Sequence, residues 1–329
     1  MSAPSSFRAW WARQPPAAAA AVMATGIVSV GLHLAGYEVL SRIALVLASV
    51  VWVGLAADFV ARLVRERERW RADAGTPAAI AAVAATAALG TRFSLLGWQT
   101  PAGALLALAA VLWPGLLVTV VRHWRRRMPG SVFLCCVATQ GLAVLGATLA
   151  AAGTTRWLAH AALVLFWLGL VLYGFALYRF EPRQVLEGGG DQWVAGGALA
   201  ISALAISALA GSKLVAADSA RMYLWNDDDL GVLRAVTAAL LVLDLVWYAV
   251  LLVAEVARPR LRYDARRWAT VFPLGMTATA VLSVAAALGV PWLEGPGQVL
   301  LWIAVAAWVA VTAGAALDLR AGLRSTAPR

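Results

Sequence analysis

The sequence predicts an all-α integral membrane protein of ten spanning helices arranged as five hairpins. Three observations predict it. The 329 residues are 62% hydrophobic and 13% charged, with a mean hydropathy of +0.78, against roughly 45–50% apolar and 25% charged in a globular domain. Apolar runs of about 20 residues, the length needed to cross a bilayer, recur ten times along the chain. The 27 basic residues also segregate: 21 fall at the termini and after spans two, four, six and eight, and 6 fall on the opposite side. Positive charge stays cytoplasmic, which puts both termini inside and requires an even number of spans.

The elements follow in chain order. Residues 1–15 form a cytoplasmic N-terminus with Arg8 and Arg13. Span one, 16–36, exceeds the 7–15-residue apolar region of a cleavable signal peptide, and another span follows at once, so it is retained. Span two is 39–64. Span three, 77–97, opens PAAIAAVAATAALG and is built from small residues. Span four is 99–121, span five 131–152, and span six, 155–178, carries the bulky run LVLFWLGLVLYGFALY. Span seven, 192–211, returns to small residues in VAGGALAISALAISALAG, and span eight, 231–256, is again bulky in LLVLDLVWYAVLLV. Spans nine and ten, 268–290 and 296–319, precede a cytoplasmic C-terminus, 320–329.

Bulk therefore alternates with span number. Trp52, Trp113, Trp157, Trp167, Trp247, Trp302 and Trp308 all lie within even spans, whereas Trp98, Trp193 and Trp268 stand only at or beyond the ends of odd ones. Small residues let helix backbones approach closely inside a membrane bundle, and large ones suit a surface facing lipid or another subunit. The expectation is an inner ring of five odd helices and an outer ring of five even helices.

Catalytic and metal constellations are not evident. His33, His123 and His160 fall on different elements, and the adjacent Cys135 and Cys136 suit core packing rather than a disulfide or a metal knuckle. No phosphate loop, zinc motif or nucleophile elbow occurs, so no cofactor and no metal is expected. The basic segments are mixed with Glu66, Glu68 and Asp264 and read as topology determinants, not as a nucleic-acid surface. Asp227, Asp228 and Asp229 stand just before span eight, in a longer external segment, 212–230, where carboxylates favour a helix N-terminus.

Polar groups inside the membrane are the remaining functional candidates. Asp244 lies mid-way along span eight, where a charge is costly and marks a function or a partner; an interhelical or intersubunit hydrogen bond is favoured over proton coupling. Arg92 near the outer end of span three either draws anions into a vestibule or snorkels to the interface. Thr25, Gly26 and Ser29 in span one, with Thr139 and Gln140 in span five, either line a path or bond a neighbouring backbone. In span nine, VFPLGM places Pro273 and Gly275 beside Phe272. Proline frees a carbonyl, which in a membrane must be buried in protein or face a water-filled cavity. The residues alone leave two readings open there, a gate or a packing kink.

Two motifs, PAAAAAVMATGIVSVGLHLAG in span one and WATVFPLGMTATAV in span nine, resemble the tellurite-resistance/dicarboxylate transporter family. That family includes fungal malate permeases, sulfite exporters and plant slow anion channels. The resemblance covers nearly the whole chain. It implies a pore of five inner helices, one per subunit of a homotrimer in the cytoplasmic membrane, plugged at mid-membrane by a phenylalanine that corresponds to Phe272. It also implies a small anionic substrate, either a C4-dicarboxylate such as malate or an inorganic anion such as tellurite, sulfite, chloride or nitrate. The rival expectation is a membrane-embedded enzyme acting on a lipid-linked substrate, with Asp227–Asp229 as its acidic cluster.

Overall fold

The computed structural model describes residues 15–66, 77–124, 127–153, 155, 157–181, 191–218, 227–257 and 267–325. Ten α-helices occupy them: α1 Pro15–Leu34, α2 Glu38–Arg65, α3 Pro77–Leu95, α4 Gln99–Arg122, α5 Leu134–Ala151, α6 Trp157–Arg179, α7 Asp191–Asp218, α8 Asp227–Ala257, α9 Trp268–Leu288 and α10 Glu294–Ser325. Short 3-10 turns, Gly130–Phe133 and Pro291–Leu293, lead into α5 and α10. Among the described residues there is no strand beyond an isolated bridge between Met128 and Phe180. Eight helices are long and apolar enough to cross a membrane, and the apolar stretches Ala19–Leu34 and Ala79–Leu95 supply the corresponding parts of α1 and α3.

Boundaries follow the expected spans closely except at the seventh and the tenth. The seventh helix runs on to Asp218, so residues 212–218 of the segment expected over 212–230 are helical and Lys213 belongs to α7; the tenth runs on to Ser325, six residues past the expected end at 319. Residues 219–226 lie outside the described residues, as do the side chains of Asp227–Asp229, the first three residues of α8.

Odd helices end in a repeated way. Gly36, Gly97, Gly153 and Gly289, just past α1, α3, α5 and α9, have φ of 85°, 84°, 82° and 67°. This left-handed conformation is the usual helix stop, and only glycine adopts it without a Cβ penalty. Each turn sends the chain straight back as the next even helix.

Burial separates the two sets. The apolar windows of α5, α7 and α9 are 100%, 89% and 78% buried, whereas those of α2, α4, α6, α8 and α10 are between 11% and 28% buried. In α1, every residue from Val22 to Leu32 is buried. Helix contacts run from α1 to α3, α3 to α5, α5 to α7, α7 to α9 and α9 back to α1, while each odd helix also packs along the even helix that follows it. Small side chains permit this closeness: a Cβ on Gly275 of α9 would stand 3.1 Å from Ile27 Cγ2 of α1. With lipid as apolar as the side chains, such close van der Waals approach is what holds helices together.

Candidate functional site

At the centre of the odd helices is a narrow cavity. It is lined by Ile27 and Val30 of α1, Ala84, Ala88 and Thr91 of α3, Gly141 and Val144 of α5, Ile206 and Leu209 of α7, and Phe272 and Met276 of α9. On each helix the lining residues are three or four apart, so each presents one face to the axis. The cavity measures about 20 Å³, room for about one water molecule. Thr91 alone among the lining residues has a polar side chain, and its hydroxyl donates to the Ala87 carbonyl at 2.9 Å.

Phe272 is 3% exposed and stands on this cavity. Pro273 and Gly275 do not interrupt α9, which is α-helical throughout. Pro273 stands in the second turn of α9, and Phe272 lies four residues from Trp268, about 6 Å along the axis. As the sixth residue of α9, Pro273 lies past the four N–H groups that have no partner in any helix, so it removes one intrahelical bond, the one to the Ala269 carbonyl, and the helix continues through it. Gly275 serves the contact with α1 described above.

The hydroxyls and charges singled out in the sequence turn away from the cavity. Thr25 Oγ1 accepts from the Trp308 indole N–H of α10 at 3.0 Å, and Thr139 Oγ1 accepts from the Trp113 indole N–H of α4 at 2.9 Å. Gln140 Nε2 donates to the Phe166 carbonyl of α6 at 3.0 Å and fills the space that the missing side chain of Gly169 leaves. Gly26 meets α3 at Ala88, where a Cβ would lie 3.4 Å from the Ala88 Cβ. Cys135 and Cys136 are free and buried.

Ser29 and Arg92 belong to one cluster near the α1–α2 turn. Ser29 Oγ donates to the Ser41 carbonyl at 2.7 Å, and Ser41 Oγ donates to the Ser29 carbonyl at 2.6 Å. Arg92, fully buried, donates from Nε to Ser41 Oγ and from Nη2 to Glu38 Oε1, both at 2.8 Å. Glu38 also receives Arg42 Nε at 2.9 Å and faces His33 Nδ1 at 2.7 Å. Arg92 therefore does not snorkel; it ties α3 to the first hairpin.

Asp244 of α8 is fully buried and turned towards α9, where its Oδ1 accepts from Thr277 Oγ1 at 3.2 Å. Its Oδ2 has no hydrogen-bond partner among the described residues.

A family profile described as SLAC1, voltage-dependent anion channel, matches residues 13–316. The chain belongs to the SLAC1 family. This is the family of the tellurite-resistance/dicarboxylate transporters, with the malate permeases and slow anion channels that the two motifs resemble. No curated protein matches the chain. The SLAC1 family carries out anion transport through a channel, and a multi-pass membrane protein whose even helices expose large apolar side chains fits that membership. Among the described residues, no group of three or more His, Cys, Asp or Glu side chains is placed to hold a metal ion.

Most of the residues that face the axis of this SLAC1 chain were not singled out in the sequence. Ile27, Val30, Val144, Ile206 and Leu209 are ordinary apolar residues. The available cue was their spacing of three on helices otherwise rich in Ala, Gly, Ser and Thr.

Proposed function

We propose that the chain conducts small anions along the axis enclosed by α1, α3, α5, α7 and α9, and that Phe272 closes this path. One observation carries the reading: in a chain of an anion channel family, all five odd helices meet on one cavity, and Phe272 stands on it. With room for about one water, the cavity is far too small for a hydrated ion. An apolar constriction also excludes ions by dewetting, since no wall group replaces the lost hydration. The arrangement is that of a closed path.

Small dicarboxylates such as malate, and inorganic anions such as chloride, nitrate, sulfite or tellurite, are the substrate class. The formal net charge of +10 raises the local concentration of anions at the surface. The protein works in the cytoplasmic membrane with both termini inside, as a homotrimer with one path per subunit. Asp244 serves as an interhelical hydrogen-bonding group. The rival reading, an enzyme on a lipid-linked substrate, has only Asp227–Asp229 to draw on, and those side chains lie outside the described residues.

The test is flux through purified protein in liposomes, screened with malate, chloride, nitrate, sulfite and tellurite. Phe272→Ala removes the ring without touching the backbone that Pro273 fixes, so anion flux should rise. In a merely packed core, the same truncation leaves a void, costs roughly 3–5 kcal/mol and adds no flux. Well-expressed, stable Phe272→Ala protein with unchanged or lower flux would remove Phe272 as the gate.

A further inference from the structure

Three tryptophans make the same contact in three places. The indole N–H of Trp52 on α2 donates to Thr86 Oγ1 on α3 at 2.9 Å, that of Trp113 on α4 to Thr139 on α5, and that of Trp308 on α10 to Thr25 on α1. Each bond joins an even helix to the odd helix of the next hairpin, the last pair closing the circuit. Each tryptophan also stands fourteen residues after the first residue of its helix, namely Glu38, Gln99 and Glu294. Other tryptophans on even helices, Trp157, Trp167, Trp247 and Trp302, are exposed, whereas these three are half-buried against the bundle.

The acceptors share a geometry too. Thr86 and Thr139 each give the hydroxyl proton back to the carbonyl four residues earlier, Ala82 and Cys135, at 2.8 Å, which leaves a lone pair for the indole. At the α8–α9 joint, Asp244 stands where the other joints have an indole, and Thr277 gives it the proton. The carbonyl four residues before Thr277 belongs to Pro273. In these four of the five joints a hydroxyl on an odd helix is held towards an even helix, which keeps it off an axis whose lining is otherwise apolar.

We propose that Trp52, Trp113 and Trp308 are positioning residues: latches that fix the rotation of α3, α5 and α1 so that apolar faces meet and the path stays closed. The inference rests on the anion path proposed above. A latch that exists only in the closed arrangement biases the equilibrium towards it by the net worth of one hydrogen bond, about a five-fold factor.

Trp52→Phe, Trp113→Phe and Trp308→Phe keep an aromatic ring at the joint and delete only the N–H. Thr86→Val deletes the acceptor at nearly constant volume, and Thr86→Ser keeps it. In liposomes loaded with chloride, each deletion should raise efflux roughly five-fold, and Thr86→Ser should match the wild type. The double variant Trp52→Phe/Thr86→Val should equal either single, because both changes remove one bond. If Trp52→Phe does not fold, Thr86→Val carries the comparison. Wild-type efflux from folded deletion variants, in an assay where Phe272→Ala raises it, overturns the latch. Amide exchange on the same proteins separates the two ideas. Trp52→Phe should speed exchange in α3 around Thr86, and unchanged exchange overturns the latch even if no variant passes anions. Absence of flux from every protein, Phe272→Ala included, counts against the anion path alone.

Discussion

Arg92 brings a full positive charge into α3, a helix otherwise made of Ala, Gly, Ser, Thr and apolar residues, and Glu38 is what makes this tolerable. The two partners are not equivalent. Arg92 has no exposed surface, whereas the Glu38 side chain is 34% exposed and also holds Arg42 and His33. Removing Glu38 strands a buried guanidinium whose Nη1 has no partner even in the intact cluster. An uncompensated buried charge costs roughly 3–5 kcal/mol. Removing Arg92 leaves a carboxylate that retains Arg42 and partial access to water, at a cost nearer that of an exposed pair, about 1 kcal/mol or less, plus the packing lost. Glu38→Ala should therefore lower the melting temperature in detergent clearly more than Arg92→Met does. Equal losses would mean that the pair acts symmetrically and that burial of Arg92 is not the controlling term.

Among the elements, the α1–α9 contact offers a paired test, since both partners contribute a glycine. A Cβ on Gly31 would stand 2.8 Å from Thr279 Oγ1 and 2.9 Å from Leu301 Cδ1. Thr279 Oγ1 is not free to withdraw, because it donates to the Gly275 carbonyl at 2.8 Å. On Gly275 the nearest approach, 3.1 Å to Ile27 Cγ2, needs only a small shift. Alanine gains about 1 kcal/mol of helix propensity over glycine. That gain offsets the strain at Gly275 but falls short of an overpacking cost of roughly 1–3 kcal/mol at Gly31. Gly275→Ala should melt near the wild type and Gly31→Ala several degrees lower; the reverse order would contradict this account of the contact. Close approach of this kind was legible in the sequence as an alternation of bulk between odd and even spans, because lipid-facing positions need side chains and facing backbones need their absence. Rotation of each helix was not. A hydroxyl such as Thr139 on an odd helix has two destinations, the axis or the flank, and only the neighbour that receives it decides. Trp113 is that neighbour. Its fourteen-residue offset, shared with Trp52 and Trp308, was the cue that composition alone passes over. The motif singled out Phe272, which stands on the cavity, while the uninterrupted helix around Pro273 was not legible, because whether one lost N–H breaks a helix depends on the neighbours packed against it.

For the whole molecule, orientation rests on charge and on which connections share a face. Consecutive helices that pack as hairpins return the chain each time, so Gly36, Gly97, Gly153 and Gly289 fall on one face and the last residues of α2, α4, α6 and α8 on the other. The described residues just past α4 and α6 touch: Met128 N donates to the Arg179 carbonyl at 2.8 Å, Glu181 N donates to the Met128 carbonyl at 3.2 Å, and Arg127 Nε reaches Glu181 Oε2 at 3.1 Å. The ends of α4 and α6 therefore lie side by side, and whatever compartment one occupies, the other shares. In the sequence, 21 of the 27 basic residues fall at the termini and at or after the ends of α2, α4, α6 and α8. Holding arginine on the cytoplasmic side is the strongest orienting bias a short connection exerts. Reporter proteins fused after residues 70, 126, 182 and 263 should read cytoplasmic, and one fused after residue 220 should read external. Because the contact between Met128 and Arg179 binds the fusions at 126 and 182 to one outcome, a split between those two would break the fold itself. A uniform inversion, with 220 cytoplasmic and the other four external, would instead leave the hairpins intact and overturn only the orientation drawn from charge.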